Sequence, residues 1–368
     1  MITRIQSLSN HFYADITQVP SALQKKHLPS LDGLRCFSIL FVIIAHVNEY
    51  NAALNSESIH YFFGGGVFGV HYFFVISGFI ITTLLLMERV KTGNISLKHF
   101  YLRRLLRIFP LTYLFLIVLI GLNGPFHLGL PFPDLAGAFL FIKNAGTSSS
   151  WYTAHYWSLS VEEQYYLIFP FILWKGGVKT YLNVCFLFIC LFLCKNIYEH
   201  YSSSPGGSLQ AIADIFLSSN FLSILVGSMT SILFFKTGGE LPRVNPILLT
   251  AAHIGLFLLA FFSFRNPKLF GLSSLLSSCS IAASIFLLIR FPYGPFHRVL
   301  NNRLIAYVGK LSFSLYIWQQ LFTAHQPWAQ TFKYGNSIAL NLIFLAIVAY
   351  LSYNYFEKPF LKLKERFK

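Results

Sequence analysis

Long apolar runs separated by short polar segments dominate the pattern of this 368-residue chain. A helix needs ~20 apolar residues to cross a bilayer. Runs at about 31–51, 67–87, 108–123, 157–174, 177–195, 212–235, 245–263, 270–289, 304–323 and 336–357 meet or approach that length. A further apolar piece, about 134–144, is too short to cross. The pattern predicts an all-α polytopic membrane protein with about ten transmembrane helices plus one re-entrant or half helix. Residues 1–30 read as a cytoplasmic N-terminal arm, 31–360 as the membrane domain and 361–368 as a basic cytoplasmic tail.

Composition agrees. Hydrophobic residues make up 55% and charged residues 11% of the chain, against ~25% charged in soluble proteins, and the mean hydropathy is +0.58. A net charge of +15 would point to nucleic acid in a soluble chain, but here it fits basic residues gathered in inner loops beside membrane lipids. With ten crossings and both termini inside, 22 of the 28 Lys and Arg residues fall on the cytoplasmic side. If 134–144 crossed fully, 13 of them would move outside. That piece is therefore expected to be buried in protein or to line a cavity. The first apolar run is itself a span, so no cleavable leader is expected. The five cysteines sit in apolar runs with no Cys-x-x-Cys pair and read as buried small hydrophobes. The 40 Phe and 20 Tyr residues are expected mostly at lipid-facing and interfacial positions.

Two ionisable residues interrupt the first span, Arg35 and His46. Each costs roughly 2.5–3.5 kcal/mol to insert, which makes it a functional candidate by default. Eleven positions apart, they return to within about 20° of one helix face with a rise of about 16 Å. Counting residues from the span ends puts His46, His71 of the second span and Glu162 at one depth, about 8 Å below the outer boundary. A histidine beside a carboxylate is the arrangement of a general base. Arg103, Arg104 and Arg107 cluster at the inner boundary; Arg103 and Arg107 share a helix face, and guanidinium groups suit phosphates. No P-loop, dinucleotide-binding glycine fingerprint or zinc motif occurs, and no metal is expected. Gly64–Gly66 reads as a flexible turn, Ser77-Gly78 as a close helix contact, and Glu357-Lys358 as an end-of-helix anchor.

These residues resemble the acyltransferase 3 family of integral-membrane acyltransferases. Arg35 and His46 match its Arg-x10-His signature. The blocks GVHYFFVISGFIIT at 69–82, FYLRRLLRIFPLTY at 100–113, YWSLSVEEQYYLIFP at 156–170, VGKLSFSLYIWQQ at 308–320 and YFEKPF at 355–360 resemble further family blocks in the same order. The likeness covers about 30–360. Many members read Trp-His where this chain has Trp318-Gln319, and an acidic or other polar residue often stands at the place of His71. The resemblance implies transfer of an acyl group, most often acetyl, from cytoplasmic acyl-CoA to a hydroxyl of a cell-envelope glycan or lipid-linked sugar. It implies His46 and Glu162 as catalytic groups, with Arg35, Arg103, Arg104 and Arg107 binding the donor and His71 in support. Acetyl-CoA is then a substrate and no cofactor is tightly bound. The expected location is the bacterial cytoplasmic membrane. The rival from another class is a multi-spanning transporter of a small or glycan-related solute, against which stands the lack of an internal repeat relating the two halves.

Overall fold

The computed structural model describes residues 15–24, 28–49, 61–63, 66–146, 150–201, 213–237, 242–266 and 271–367. Most of the N-terminal arm and two of the three glycines at 64–66 lie outside them. The described residues are all-helical, and eight of their helices are long and apolar enough to cross a membrane. We label the helices α1 (Pro29–Glu49), α2 (Val67–Thr92), α3 (Leu97–Phe126), α4 (Phe132–Phe139), α5 (Trp151–Ala154), α6 (Tyr156–Tyr201), α7 (Ser219–Lys236), α8 (Pro246–Phe264), α9 (Leu272–Arg290), α10 (Pro295–Leu300), α11 (Arg303–Lys310), α12 (Ser312–Phe322), α13 (Ile338–Leu351) and α14 (Lys358–Lys364).

Two differences from the expected ten runs have local causes. Gly177 adopts φ 68° and ψ −172° inside α6, a conformation open to glycine but not to side-chain-bearing residues. It divides that helix at the boundary expected between two spans. The 304–323 run forms two short helices, α11 and α12, so neither reaches spanning length by itself. The short apolar piece is the eight-residue α4, about 12 Å long.

The chain divides into two compact units. One comprises residues 1–33, 71–95 and 162–302, and so holds most of α2 and α6 with α7–α10. Within it α9 packs on α7 and α8. α2 meets α7 through two glycines: a Cβ on Gly78 would collide with the Ile224 carbonyl, and one on Gly227 with the Val75 carbonyl. The expected close contact at Ser77-Gly78 is thus present, with the Ser77 hydroxyl 3.0 Å from Tyr166 Oη. Hydroxyl pairs cross between helices, Thr83 with Ser231 at 2.8 Å and Tyr165 with Tyr181 at 2.6 Å.

The other unit comprises residues 34–70, 96–161 and 303–368. On α1, Phe37, Leu40 and Ile44 form an exposed stripe while Ile39, Val42 and Ala45 are buried. Arg35 and His46 each lie about 180° round the helix from that stripe, so both face protein. Tyr156 at the start of α6 donates its hydroxyl to the Thr112 carbonyl of α3 at 2.6 Å. α12 packs on α13, and α14 on α3.

Two expectations need correction. Most described Phe and Tyr residues keep some exposure, as expected, while Tyr156, Tyr165, Tyr181, Phe74, Phe79, Phe115, Phe169 and Phe221 are among the largest fully buried side chains. Rings stacked edge-to-face fill wide gaps between helices with few flexible bonds. Cys36 and Cys185 are buried as expected, whereas Cys194 and Cys279 are exposed. Glu357 is no end-of-helix anchor: it is 6% exposed, closes a π-helical turn, Ser352–Glu357, and accepts the Ser314 hydroxyl. Lys358 beside it is exposed and holds Asn354, as an anchor would.

Candidate active site

The α1 face that carries Arg35 and His46 supplies the centre of the site. The half-buried His46 ring is held by a chain of amides on α12. Gln319 Oε1 stands 2.8 Å from His46 Nδ1. Gln319 Nε2 donates to Gln320 Oε1 at 2.6 Å, and Gln320 Nε2 donates to the Trp151 carbonyl at 2.6 Å. Trp151 returns a bond from its indole N–H to the Gln320 carbonyl at 2.8 Å and lies edge-on to His46, ring centroids 5.1 Å apart. The Thr323 hydroxyl adds a donor to Gln319 Oε1 at 3.1 Å.

This chain decides the tautomer. An amide oxygen only accepts, and Gln319 Oε1 is the atom turned to His46. Nδ1 therefore carries the proton, and Nε2 keeps the lone pair of a general base. No role was expected for Gln319 beyond the absence of a second histidine. It occupies the orienting position that a carboxylate fills in other histidine-centred sites.

The three arginines lie together on α3, all half-buried. Arg103 Nη1 donates to the Phe367 carbonyl at 2.6 Å. Arg104 lies over the Phe100 ring at 5.7 Å. Arg107 is close enough to Glu357 for their charges to interact. The shared face expected for Arg103 and Arg107 thus meets the C-terminal segment. Arg35 is half-buried on α1.

His71 and Glu162 belong to the unit that lacks His46. His71 is 1% exposed. Its Nδ1 is 3.0 Å from Ser223 Oγ, and its Nε2 is 3.0 Å from Ser278 Oγ, so the ring bridges α7 and α9. Glu162 is half-buried on α6.

Residues that sequence reasoning passed over complete the surroundings of His46. His155, at the α5–α6 junction, is buried and close enough to His46 for their charges to interact. The signal was an ionisable residue directly before the Tyr156-Trp157-Ser158 block. Asp134 of α4 and Lys143, both buried, form an ion pair, and Asp134 also accepts from the Ser150 backbone N–H at 3.3 Å. Lys143 donates its own backbone N–H to Ser160 Oγ at 3.0 Å. Beside this brace a cavity of about 500 Å³ is lined by Asp134, Ser150, Trp151, Tyr152 and His325 among others. Trp151 is its common wall with His46. His325 takes a left-handed backbone conformation, φ 47°, and its carbonyl accepts the Tyr152 hydroxyl at 2.7 Å. Among the described residues no cluster of metal-binding side chains occurs.

The chain is similar to known proteins over most of its length. The acyltransferase 3 family model, described as an acyltransferase domain, matches residues 28–356. A protein of Staphylococcus aureus strain COL, provisionally named an O-acetyltransferase, is 30% identical over 383 aligned positions, covering 92% of this chain and 58% of its own length. The O-acetyltransferase OatA of Staphylococcus aureus strain NCTC 8325 is 24% identical, covering 95% of this chain and 59% of its own length. The chain thus spans somewhat under two thirds of the curated relatives it matches. No solved structure matches. An Arg-x10-His helix and a family match over nearly the whole sequence lead to one statement: this chain belongs to the acyltransferase 3 family of membrane acyltransferases.

Proposed function

We propose that the chain is an O-acetyltransferase that moves an acetyl group from cytoplasmic acetyl-CoA to a hydroxyl of a cell-envelope glycan or lipid-linked sugar. The observation that carries the reading is the fixed tautomer of His46. Its Nδ1–H is committed to Gln319, so Nε2 takes the proton of the acceptor hydroxyl as the oxygen attacks the thioester carbonyl. The thiolate of coenzyme A then leaves and recovers that proton from His46. Arg103, Arg104 and Arg107 receive the donor's phosphates, and Arg35, about 16 Å along the helix face from His46, contacts the pantetheine arm. His71 braces α7 and α9 within its own unit. The name of OatA supports acetyl as the group and a hydroxyl as its destination.

The same reading places the protein in the bacterial cytoplasmic membrane with both termini inside. It counts ten crossings, with α6 dividing at Gly177 and α11–α12 together making one, and α4 as the half helix. The test is purified full-length protein with radiolabelled acetyl-CoA and candidate glycan acceptors. His46→Ala abolishes transfer while membrane level and thermal midpoint stay as in the parent. Full activity in that variant would sink the assignment.

A further inference from the structure

Two buried groups near His46 have no part in the scheme above. His155 is 3% exposed and Trp318 is 7% exposed. Neither ring nitrogen of His155, nor the indole nitrogen of Trp318, has a hydrogen-bond partner among the described residues. An indole N–H only donates, and a neutral imidazole always presents one N–H. Buried donors are seldom left unpaired, because the cost is that of desolvating them for nothing.

Both rings close on the same side chain. Phe115 meets His155 edge-on at 5.2 Å and Trp318 edge-on at 5.5 Å. The His155 backbone is clamped, its carbonyl accepting the Ser158 hydroxyl at 3.1 Å and the Tyr316 hydroxyl at 3.2 Å. Each group is also next to one that holds His46. Trp318 directly precedes Gln319, whose amide bonds the His46 ring. His155 stands one turn after Trp151, which lies edge-on to that ring, and is itself within charge range of it. Two uncommitted N–H donors and a proton-accepting imidazole thus share one neighbourhood.

We propose that the Trp318 Nε1–H and the His155 imidazole N–H form the oxyanion site of the transfer reaction. The inference rests on the acyl-transfer reading given above. As the acceptor oxygen bonds to the thioester carbon, the carbonyl π pair moves onto its oxygen, and the hydroxyl proton passes to His46 Nε2. The two N–H groups hold the resulting oxyanion. When the pair returns to re-form the carbonyl, the carbon–sulfur bond breaks, and the departing thiolate takes the proton from His46. Donors fixed by packing before charge develops need no reorganisation when it appears, and burial strengthens them.

The experiment uses the purified full-length chain in lipid nanodiscs with acetyl-CoA, following thiol release with water as acceptor. Trp318→Phe keeps a flat aromatic ring and deletes the N–H. The expected result is a kcat about 10²- to 10³-fold lower, the usual effect of losing one such donor. KM for acetyl-CoA stays within about twofold, because the interaction is made only in the transition state. His155→Phe behaves in the same way, and His155→Gln, which returns an N–H, recovers part of the loss. An unchanged KM marks an intact fold, and the His155→Gln to His155→Phe ratio carries the test if Trp318→Phe is unstable. Parental kcat in both Phe variants, equal rates in His155→Gln and His155→Phe, or a KM effect alone would overturn the oxyanion assignment while leaving the transfer reading intact. A parent chain that releases no thiol would overturn both.

Discussion

Gln319→Leu is the most direct probe of how His46 is held. Gln319 is fully buried and joins three partners: the His46 ring at 2.8 Å, Gln320 at 2.6 Å and Thr323 at 3.1 Å. Leucine has nearly the same volume, so packing is kept while the acceptor for Nδ1–H disappears. Stranding a buried hydrogen-bonding group costs about 1–3 kcal/mol. If that cost falls on the productive tautomer, kcat drops about 5- to 150-fold, at 1.36 kcal/mol per decade. The KM for acetyl-CoA is expected to hold, since a tautomer acts on proton transfer. Gln319→Glu separates the acceptor from the rest of the chain. It keeps an oxygen for Nδ1–H and loses the donor to Gln320, so its rate should stay within about tenfold of the parent. The assay is thiol release from acetyl-CoA, with thermal midpoints measured beside it. A Leu variant with parental kcat, or a Glu variant as slow as the Leu variant, refutes the reasoning.

Two further predictions address the donor end and the brace under the cavity. Arg104→Ala removes one guanidinium from the α3 block; a charge-assisted bond to phosphate is worth about 1.5–3 kcal/mol, so KM for acetyl-CoA should rise about 10- to 150-fold, and an unchanged KM would leave these arginines with topology alone. Asp134→Ala strands buried Lys143 and should destabilise the protein by about 3–5 kcal/mol; the double substitution with Lys143→Met should recover most of the loss in detergent unfolding, and an unshifted midpoint in the single variant would show that the pair is not structural.

Hydropathy made the helical, membrane-spanning character legible, because a bilayer imposes length and apolarity on each run separately. The placing of Arg35 and His46 was legible for the same kind of reason: helical phase is a local property, and the stripe Phe37, Leu40 and Ile44 falls opposite both. Gly78 announced its close contact by having no side chain. What pairs with what was not legible. Gln319 lies 273 residues from His46, and nothing in its own segment distinguishes an orienting amide from any polar residue on a helix. Asp134 and Lys143 stand near the two ends of the short apolar piece, nine residues apart, and no helical spacing announces an ion pair between them. His155 was overlooked because its one signal, its place directly before the Tyr156-Trp157-Ser158 block, says nothing of what it faces. Glu357 was misread because its place at the inner end of a span suggests an anchor, whereas its partner, Ser314, lies 43 residues away in the sequence.

The amide chain from Gln319 to Trp151 also has a direction, and that direction is set two links away from the histidine along the chain. A glutamine side chain can turn over and exchange its oxygen for its nitrogen. If Gln319 did so, Gln320 would have to follow, bringing an oxygen against the Trp151 carbonyl that now accepts its N–H at 2.6 Å. A main-chain carbonyl within a helix cannot turn to oblige. The polarity of the line is therefore anchored at the Trp151 carbonyl and handed back link by link without any ionised group. A membrane protein gains from that arrangement: it keeps a base in one protonation geometry by means of neutral groups, where a carboxylate would need its charge sheltered from lipid. Gln320, one link removed from the histidine, thereby governs its tautomer as firmly as the residue that touches it.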